Sequence, residues 1–581
     1  MSFINELKRR NVFRMAVLYA ITAWLIMQVA EVLMSLIGLP AGAGRAIFAV
    51  LAVSFPITLI CSWFFEVTLE GFSLEKNVDR AESITHVTGR RLDFIVISLL
   101  CAAVLLFAYD KWWIGGPPQQ SIVVLPFVNM SDDVNNEYFS DGISEELLNL
   151  LTKIPELRVI SRSSAFSYKG KDIDIPTVAA QLNVAHVLEG SVRKAGNEVR
   201  ITAQLIEARS DSHLWSETYD RTLDNIFSTQ DEIAAKVVEQ LKVTLLDDAP
   251  TVQATDPEAY ALVLQARYLF QRQTSDALEK SIALSERALA IDPDYAAAWA
   301  GLATAYTSQA DNGLRSIDEG YTLAREAASE ALALDSAYAP AHRILARIAR
   351  NYDRDLAAAA GHYELALATE PANTDIIASA AIMAASLGRL DQAIALAEYA
   401  VARDPVNPAR NQNLGVYYLY AGRLDEAIAS LRTALNLSPG YISAQYFIGT
   451  ALLLKGEPES ALAAMQKEAF EAWRLFGRAL AHHALGQAAA SDAILEELIG
   501  KYEQDAAYNI AYVLAFRGET DRAFEWLNKA VAYNDPGLVE IAIQAMFVNI
   551  HIDPRWLPFL VSIGKSPEQL AAIEFKVALP E

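Results

Sequence analysis

Hydrophobic and polar positions alternate with helical spacing through the second half of the chain, most regularly between Pro405 and Pro439. Two short amphipathic helices are predicted there, because Gly422 ends the first and Pro439 cannot continue the second. Small residues such as Gly415 and Ala427 let the two helices approach closely. The large apolar residues between the helices are Leu414, Tyr418, Leu431 and Leu435. A single pair cannot bury its apolar face, so the pattern predicts neighbouring pairs.

These residues resemble the consensus of the tetratricopeptide repeat (TPR), a helix–turn–helix unit with a period of about 34 residues. The same features recur on both sides, and Pro371, Pro405 and Pro439 follow one another at that period. The resemblance implies an all-α TPR solenoid of about eight helix pairs over residues 257–540. Residues 541–581 then form a C-terminal cap, which such an array needs to cover its last stacking face.

A different pattern precedes the repeats. The segment "SIVVLPF" reads as a buried strand, and "SDGISEELLNLLTKI" as an amphipathic helix. A hairpin is predicted to turn at Gly196-Asn197, since apolar and polar residues alternate along its second arm. The phrases "VLPFVNMSDDVNNEYFSDGISEELLNLL", "VLEGSVRKAGNEVRITAQLIEA" and "HLWSETYDR" resemble the amino-terminal domain of TolB-like proteins. That resemblance implies a mixed α/β domain over residues 118–246 that makes protein contacts and has no catalytic residues.

The N-terminal region, residues 1–117, contains three apolar runs, at about 15–37, 46–65 and 92–110. Each is near the roughly 20 residues that a helix needs to cross a bilayer. They predict an α-helical transmembrane anchor, with a two-span anchor as the alternative. Basic residues before the first run and after the second place the N-terminus in the cytoplasm. The soluble part would then be periplasmic, in a protein of the bacterial inner membrane. Glu31, in the first run, has no assigned role.

Charge and motif content exclude several functions. The net charge is −23, and all of the acidic excess follows residue 111, so nucleic acid is not expected as a partner. The only cysteines, Cys61 and Cys101, lie in apolar runs. No phosphate-binding loop, nucleophile elbow, zinc motif or dinucleotide fingerprint occurs. No catalytic, cofactor or metal residues are therefore predicted, and the chain is not expected to be an enzyme. The polar loop from Asp132 to Glu137 offers a calcium site only as a weak alternative to an ordinary loop.

The predicted binding surface is the groove lined by the first helices of stacked TPRs. The positions not needed for packing are Gln412, Val416, Leu419, Tyr420, Tyr446, Thr450 and Leu453. They predict a membrane-anchored scaffold that holds a protein partner through its TPR groove and TolB-like domain. Two alternatives stay open: the groove is filled by the chain's own α/β domain or tail, or the chain is an envelope sensor that binds a ligand in the α/β domain. A homo-oligomer is also open.

Overall fold

The structure is a computed structural model, and it describes residues 118–241 and 254–580 together with a few residues of the N-terminal region. The chain divides into two compact units, Met1–Gly116 and Pro117–Glu581. In the first unit the described residues are isolated helical positions within 16–27 and 51–58, and an antiparallel pair of strands, β1 (Phe65–Thr68) and β2 (Gly71–Leu74).

The predicted transmembrane anchor is corrected by the structure. No helix in the described part of the chain is both long enough and apolar enough to span a bilayer. The run at 46–65 ends in strand β1, which begins at Phe65. The run at 92–110 and Glu31 lie outside the described residues. By this finding, three predictions were wrong: the multidomain fold class with a membrane anchor, the bilayer as a partner, and the multi-pass inner-membrane location. The chain is instead mostly a helical, TPR-like solenoid with a small sheet domain.

The sheet domain opens the second unit. Its strands are β3 (Ser121–Val124), β4 (Val128–Asn129), β5 (Arg158–Val159), β6 (His186–Ala195), β7 (Glu198–Glu207) and β8 (Ser212–Thr222). Its helices are α1 (Glu137–Thr152), α2 (Arg162–Phe166), α3 (Ile175–Leu182) and α4 (Ile226–Leu241). The strand order is β5-β3-β6-β7-β8, and β4 also pairs with β6. Strands β3, β4 and β5 run parallel to their partners, whereas β6, β7 and β8 form an antiparallel meander.

Local sequence explains these elements. The hairpin between β6 and β7 turns at Gly196, whose φ is +61°, and Ala195 pairs with Glu198 across it. Alternate residues of β7, among them Val199 and Ile201, are buried, while Arg200 points to solvent. The helical stripe predicted for α1 is buried in the same core as the strands. Burial of this stripe stabilises the packing of the helix on the sheet, because apolar surface of both elements is removed from water.

Eight antiparallel helix pairs follow the sheet domain. They are α5 (Pro257–Phe270) with α6 (Ser275–Ile291), α7 (Ala296–Asp311) with α8 (Ile317–Leu334), α9 (Ala339–Ile348) with α10 (Leu356–Thr369), α11 (Thr374–Ser386) with α12 (Leu390–Arg403), α13 (Pro408–Tyr420) with α14 (Leu424–Leu437), α15 (Ala444–Leu454) with α16 (Pro458–Met465), α17 (Glu471–Ala484) with α18 (Ala488–Tyr502), and α19 (Ala507–Phe516) with α20 (Thr520–Ala532). A π-helical turn, Ala349–Asp353, extends α9. Gly422 ends α13 with a φ of +75°. A Cβ at Gly415 would lie 2.8 Å from Leu431 Cγ, so the close helix approach requires glycine there.

The chain after the last pair turns back over the array. It contains the 3₁₀ helices Pro536–Glu540 and Ala545–Ile550, and the short helices α21 (Trp556–Ser562) and α22 (Pro567–Ala571). Phe547 is buried against Tyr508 and Tyr512 of α19, which covers the end of the apolar core. Further on, Phe575 is buried among the helices of the third to fifth pairs, and Arg389 donates a hydrogen bond to its carbonyl.

Candidate functional site

The candidate site is a cavity of about 350 Å³ on the inner face of the repeat array. Its lining comes from the first helices of the fifth to eighth pairs, from the π-helical turn after α9, and from the segment that follows α20. The aromatic residues of the lining are Tyr420, Tyr446, Phe447, Trp473, Tyr508 and Tyr512. Its polar and charged residues are Arg350, Asn351, Asp505, Asn509, Asp535, Glu540 and Gln544. The volume and mixed lining are typical of a ligand pocket.

Hydrogen bonds hold most of the tyrosine hydroxyls in place. Tyr446 donates to Tyr512 Oη at 3.0 Å, and Asn509 Nδ2 donates to the same oxygen at 3.0 Å. Gln544 Nε2 donates to Tyr420 Oη at 3.1 Å. The Tyr508 hydroxyl is buried and has no hydrogen-bond partner among the described residues. Burial raises the pKa of Tyr446 to about 12, so its phenol is neutral at physiological pH.

Charged groups lie at the edge of the same cavity. Burial raises the pKa of Glu540, and the nearby Arg350 guanidinium partly opposes that rise. The Glu540 side chain is enclosed by the groove walls yet reached by solvent. Asp535 is buried and accepts hydrogen bonds from the backbone N–H groups of Tyr508 and Gly537, at 2.9 and 2.8 Å. Burial raises the pKa of Asp535, and these two bonds oppose the rise.

The structure places the seven predicted contact residues in different surroundings. Tyr420 and Tyr446 line the cavity. Leu419 and Thr450 are buried, and Gln412 donates a 3.1 Å hydrogen bond to Ser443 Oγ. The remaining two, Val416 and Leu453, are half-buried. A partner contact at these seven positions stays a prediction.

Other lining residues were missed by sequence reasoning. Trp473 is the third residue of α17, just as Tyr446 is the third residue of α15, so extending the repeat alignment into the weaker pairs would have found it. Glu540 carries no such signal, because the returning C-terminal segment brings it to the groove, and Arg350 lies in the π-helical turn after α9, outside the repeat pattern. The alternative in which the chain fills part of its own groove gains support from the bond between Gln544 and Tyr420.

The sheet domain is attached to the array at two points. Tyr260 and Leu264 of α5 belong to the core of the sheet domain, and Arg267 of α5 forms an ion pair with Glu146 of α1. At the second point, Ser161 N donates to the carbonyl of Arg403, the last residue of α12, at 2.8 Å. A cavity of about 470 Å³ opens beside this second contact, and Arg158 and Arg403 are among its lining residues.

The described residues offer little support for a metal site, including the calcium site considered at the loop from Asp132 to Glu137. In residues 118–241 and 254–580, no three or more His, Cys, Asp or Glu side chains gather as metal ligands. In the polar loop suggested as a calcium site, Asp133 Oδ1 accepts a 2.9 Å hydrogen bond from Asn135 N. Its carboxylate therefore serves as the N-cap of the 3₁₀ helix Val134–Asn136.

Comparison with known families identifies two parts of the chain. The family pattern of the second domain of HilA/YgeH-like transcriptional regulators matches residues 118–236. The tetratricopeptide repeat pattern matches residues 410–441, which confirms the predicted TPR. Neither match covers half of the chain. The TolB-like identity of the sheet domain stays a prediction.

One curated relative is "Putative adenylate cyclase 3" of Rhizobium meliloti (strain 1021), which is 40% identical over 235 residues. These residues make up 40% of this chain and 40% of the relative, so the chain spans well under half of the relative's length. The relative carries the name of an enzyme. The prediction that the chain is not an enzyme was wrong by this comparison.

Solved structures of TPR proteins resemble parts of the array. PilW, a type IV pilus biogenesis factor, is 22% identical with a TM-score of 0.31, over 35% of this chain and 94% of its own. Pseudomonas aeruginosa PilF is 19% identical with a TM-score of 0.30, over 36% and 93%. TTC0263, a TPR protein from Thermus thermophilus, is 25% identical with a TM-score of 0.27, over 34% and 99%. The chain contains a TPR by its match at residues 410–441, and TPR proteins are among its structural neighbours.

Proposed function

We propose that the chain is a scaffold that binds a protein partner along the inner face of its TPR array, with the sheet domain as a second contact surface. TPR arrays present the first helices of their pairs to partners, and the extended inner surface of a solenoid suits a peptide or a protein segment. The observation that carries the proposal is the set of inner-face side chains left free by packing. Asn351 and Glu540 are exposed there, next to half-buried Trp473.

The sheet domain supports the proposal through its fixed attachment. Its core includes two side chains of α5, and the ion pair between Arg267 and Glu146 joins the same elements. A domain held in this way presents a surface that is fixed relative to the repeat array. Its edge strand β8 is mostly exposed and 11 residues long, which gives an extended partner segment a place to pair.

Site-specific photo-crosslinking tests the scaffold. p-Benzoylphenylalanine placed at Asn351 lies on the inner face, and the same residue placed at Arg432, which is exposed on α14, lies on a second helix as a control. Irradiation in cells is expected to give a discrete adduct from position 351 that is absent from position 432. Mass spectrometry identifies the protein in the adduct. Equal adducts from both positions, or none from position 351, would contradict inner-face binding.

A second candidate function is the conversion of ATP into cyclic AMP and pyrophosphate. Its support is the name of the relative that is 40% identical over 235 residues. The full chain, incubated with ATP and Mg²⁺ or Mn²⁺, is assayed for cyclic AMP by mass spectrometry. Product above the level of a heat-denatured sample favours this candidate. A chain that is folded by circular dichroism and makes no product excludes it under those conditions.

A further inference from the structure

The cavity on the inner face is walled by aromatic rings that pack on one another. Tyr446 and Trp473 have ring centroids 4.9 Å apart, and Phe447 lies 5.8 Å from Trp473. Tyr508 and Tyr512 meet edge to face at 5.9 Å. These rings come from three successive first helices, α15, α17 and α19. Mutual packing fixes the positions of the rings, and their negative faces favour a cation placed over them.

The charges of the lining are mostly negative. Three carboxylates, those of Asp505, Asp535 and Glu540, face one guanidinium, that of Arg350. Arg350 is already engaged, since its Nε donates to Ser386 Oγ at 3.0 Å and its Nη1 donates to Asn351 Oδ1 at 2.7 Å.

The carboxylates differ in how they are used. Asp535 is occupied by the two backbone N–H groups described above. Asp505 and Glu540, in contrast, have no ion-pair or hydrogen-bond partner within the described part of the chain. The cavity therefore presents two free carboxylates beside an aromatic wall, and a ligand with positive charge satisfies both features.

One hydroxyl in the wall also lacks a partner. Tyr508 is only 3% exposed and lines the cavity, yet its Oη makes no hydrogen bond to any described residue. Leaving a buried polar group unpaired is unfavourable, because the group has lost its hydrogen bonds to water. The neighbouring hydroxyls of Tyr446 and Tyr512 bond to each other instead. The phenol oxygen of Tyr508 is thus available to accept a hydrogen bond from a ligand N–H.

We propose that this cavity binds the ammonium group of a small alkylamine. The aromatic wall contacts the alkyl chain and the cation, Asp505 and Glu540 supply the counter-charge, and Tyr508 Oη accepts an N–H hydrogen bond. An anionic ligand would meet two unpaired carboxylates, and a neutral apolar ligand would leave the Tyr508 hydroxyl unsatisfied. Amine binding requires no protein partner, so the amine site and the proposed scaffold function can be tested independently of each other.

A series of three ligands with one chain length tests the proposal. Hexylammonium, hexan-1-ol and hexanoate are titrated into the full chain by isothermal titration calorimetry at neutral pH. Hexylammonium is expected to bind at least about tenfold more tightly than hexanol, and hexanoate not to bind. Equal affinity for hexylammonium and hexanol, or tighter binding of hexanoate, would overturn the proposal.

Variants locate the binding in this cavity. Glu540→Gln and Asp505→Asn each remove one charge at exposed positions, and each is expected to weaken hexylammonium binding by about fivefold or more. Glu459→Gln, at an exposed carboxylate on α16 outside the cavity, is the control and leaves affinity unchanged. Tyr508→Phe keeps the ring, removes the hydroxyl and is expected to weaken binding of hexylammonium. Unchanged affinity in both carboxylate variants, with unaltered circular dichroism spectra, would overturn the assignment.

The same chemistry occurs in a lysine side chain, so a further titration separates the two sources. N-Acetyl-lysine methylamide is compared with hexylammonium. If hexylammonium binds more tightly than the lysine derivative, and Glu540→Gln abolishes its binding, the result supports a small-molecule ligand. Binding of the lysine derivative tenfold or more above hexylammonium assigns the cavity to a protein side chain and overturns the small-molecule source.

Discussion

The Ser164 hydroxyl of the sheet domain donates a 2.7 Å hydrogen bond to the carboxylate of Asp404, at the end of helix α12 in the repeat array. Ser163 donates to the same carboxylate at 2.7 Å, and so does Asn407 Nδ2. The Asp404 side chain is fully buried. The turn between the fourth and fifth helix pairs is therefore tied to the sheet domain by a buried, hydrogen-bonded charge, which is a strong and directional link.

Removal of that carboxylate is expected to destabilise the junction. Asp404→Ala leaves the buried hydroxyl of Ser164 without its acceptor and removes the bond from the exposed Ser163, which costs about 2–3 kcal/mol of unfolding free energy. Urea unfolding followed by circular dichroism measures the loss. Asp425→Ala removes an exposed carboxylate that pairs with Lys455, and it is expected to cost less than about 1 kcal/mol. Equal losses in the two variants would show that the junction does not depend on Asp404.

Replacement of glycine by alanine is expected to change stability in opposite directions at two positions. A Cβ at Gly142 of α1 would lie 2.6 Å from Leu264 Cδ1 of α5, whereas a Cβ at Gly361 of α10 meets no atom within 4 Å. Gly142→Ala is expected to destabilise the chain by about 1–3 kcal/mol through overpacking. Gly361→Ala is expected to stabilise it by about 0.5–1 kcal/mol, because alanine is the better helix former.

The melting temperatures of these two variants are measured beside that of the natural chain. Opposite shifts support the close contact of α1 with α5. A rise in both variants would show that the two helices separate easily, and a fall in both would show that Gly361 is packed against a neighbour.

The parts of the fold that depend on local pattern could be predicted from the sequence. The helix pair around Gly422 and the hairpin at Gly196 depend on residues within about one turn of each other. Their conformations follow from φ above zero at glycine and from apolar periodicity. A single sequence is sufficient for such features.

Contacts between distant segments could not be read in this way. Ser164 and Asp404 lie 240 residues apart, and the sequence around either residue does not indicate that the two are in contact. The candidate cavity has the same property, because Arg350 and Glu540 meet only after the chain returns over its own groove. The three apolar runs show the opposite problem. Their apolar composition predicted membrane-spanning helices. Hydrophobicity alone, without tertiary context, does not establish whether an apolar segment lies in a membrane or in a protein core.

Two tyrosines in the cavity should respond differently to loss of the hydroxyl. Tyr446→Phe breaks its 3.0 Å hydrogen bond with Tyr512 and is expected to cost about 1 kcal/mol. Tyr508→Phe removes a buried hydroxyl that has no partner among the described residues, so stability is expected to be unchanged or slightly higher. Urea unfolding of the ligand-free chain makes the comparison. A loss of about 1 kcal/mol or more in Tyr508→Phe would reveal an unrecognised partner for this hydroxyl.

A buried lysine near the C-terminus gives a dependence of stability on pH. Lys565 is 6% exposed, and its Nζ has no hydrogen-bond partner among the described residues. Burial, with the nearby charges of Arg350 and Arg354, lowers the pKa of Lys565 from 10.5 to about 8. The charged form is thus disfavoured in the folded chain. Between about pH 8 and 10.5 the unfolded chain binds more protons at this site, so stability contributed by this site rises with pH across that window.

Replacement of the lysine by an apolar residue of similar length should remove this penalty. Lys565→Met is expected to raise the unfolding free energy by about 3 kcal/mol at pH 7, where lysine is protonated in both states, because each pKa unit corresponds to about 1.36 kcal/mol. The gain should shrink as the pH rises and vanish near pH 10.5, where the natural chain folds with a neutral lysine. Urea unfolding at about pH 7, 9 and 10.5 measures the difference between variant and natural chain, which cancels the titration of other groups. Lys576→Met, at an exposed lysine, is the control and should show no such trend. A difference for Lys565→Met that stays constant with pH would mean that Lys565 is solvated or paired in the folded chain.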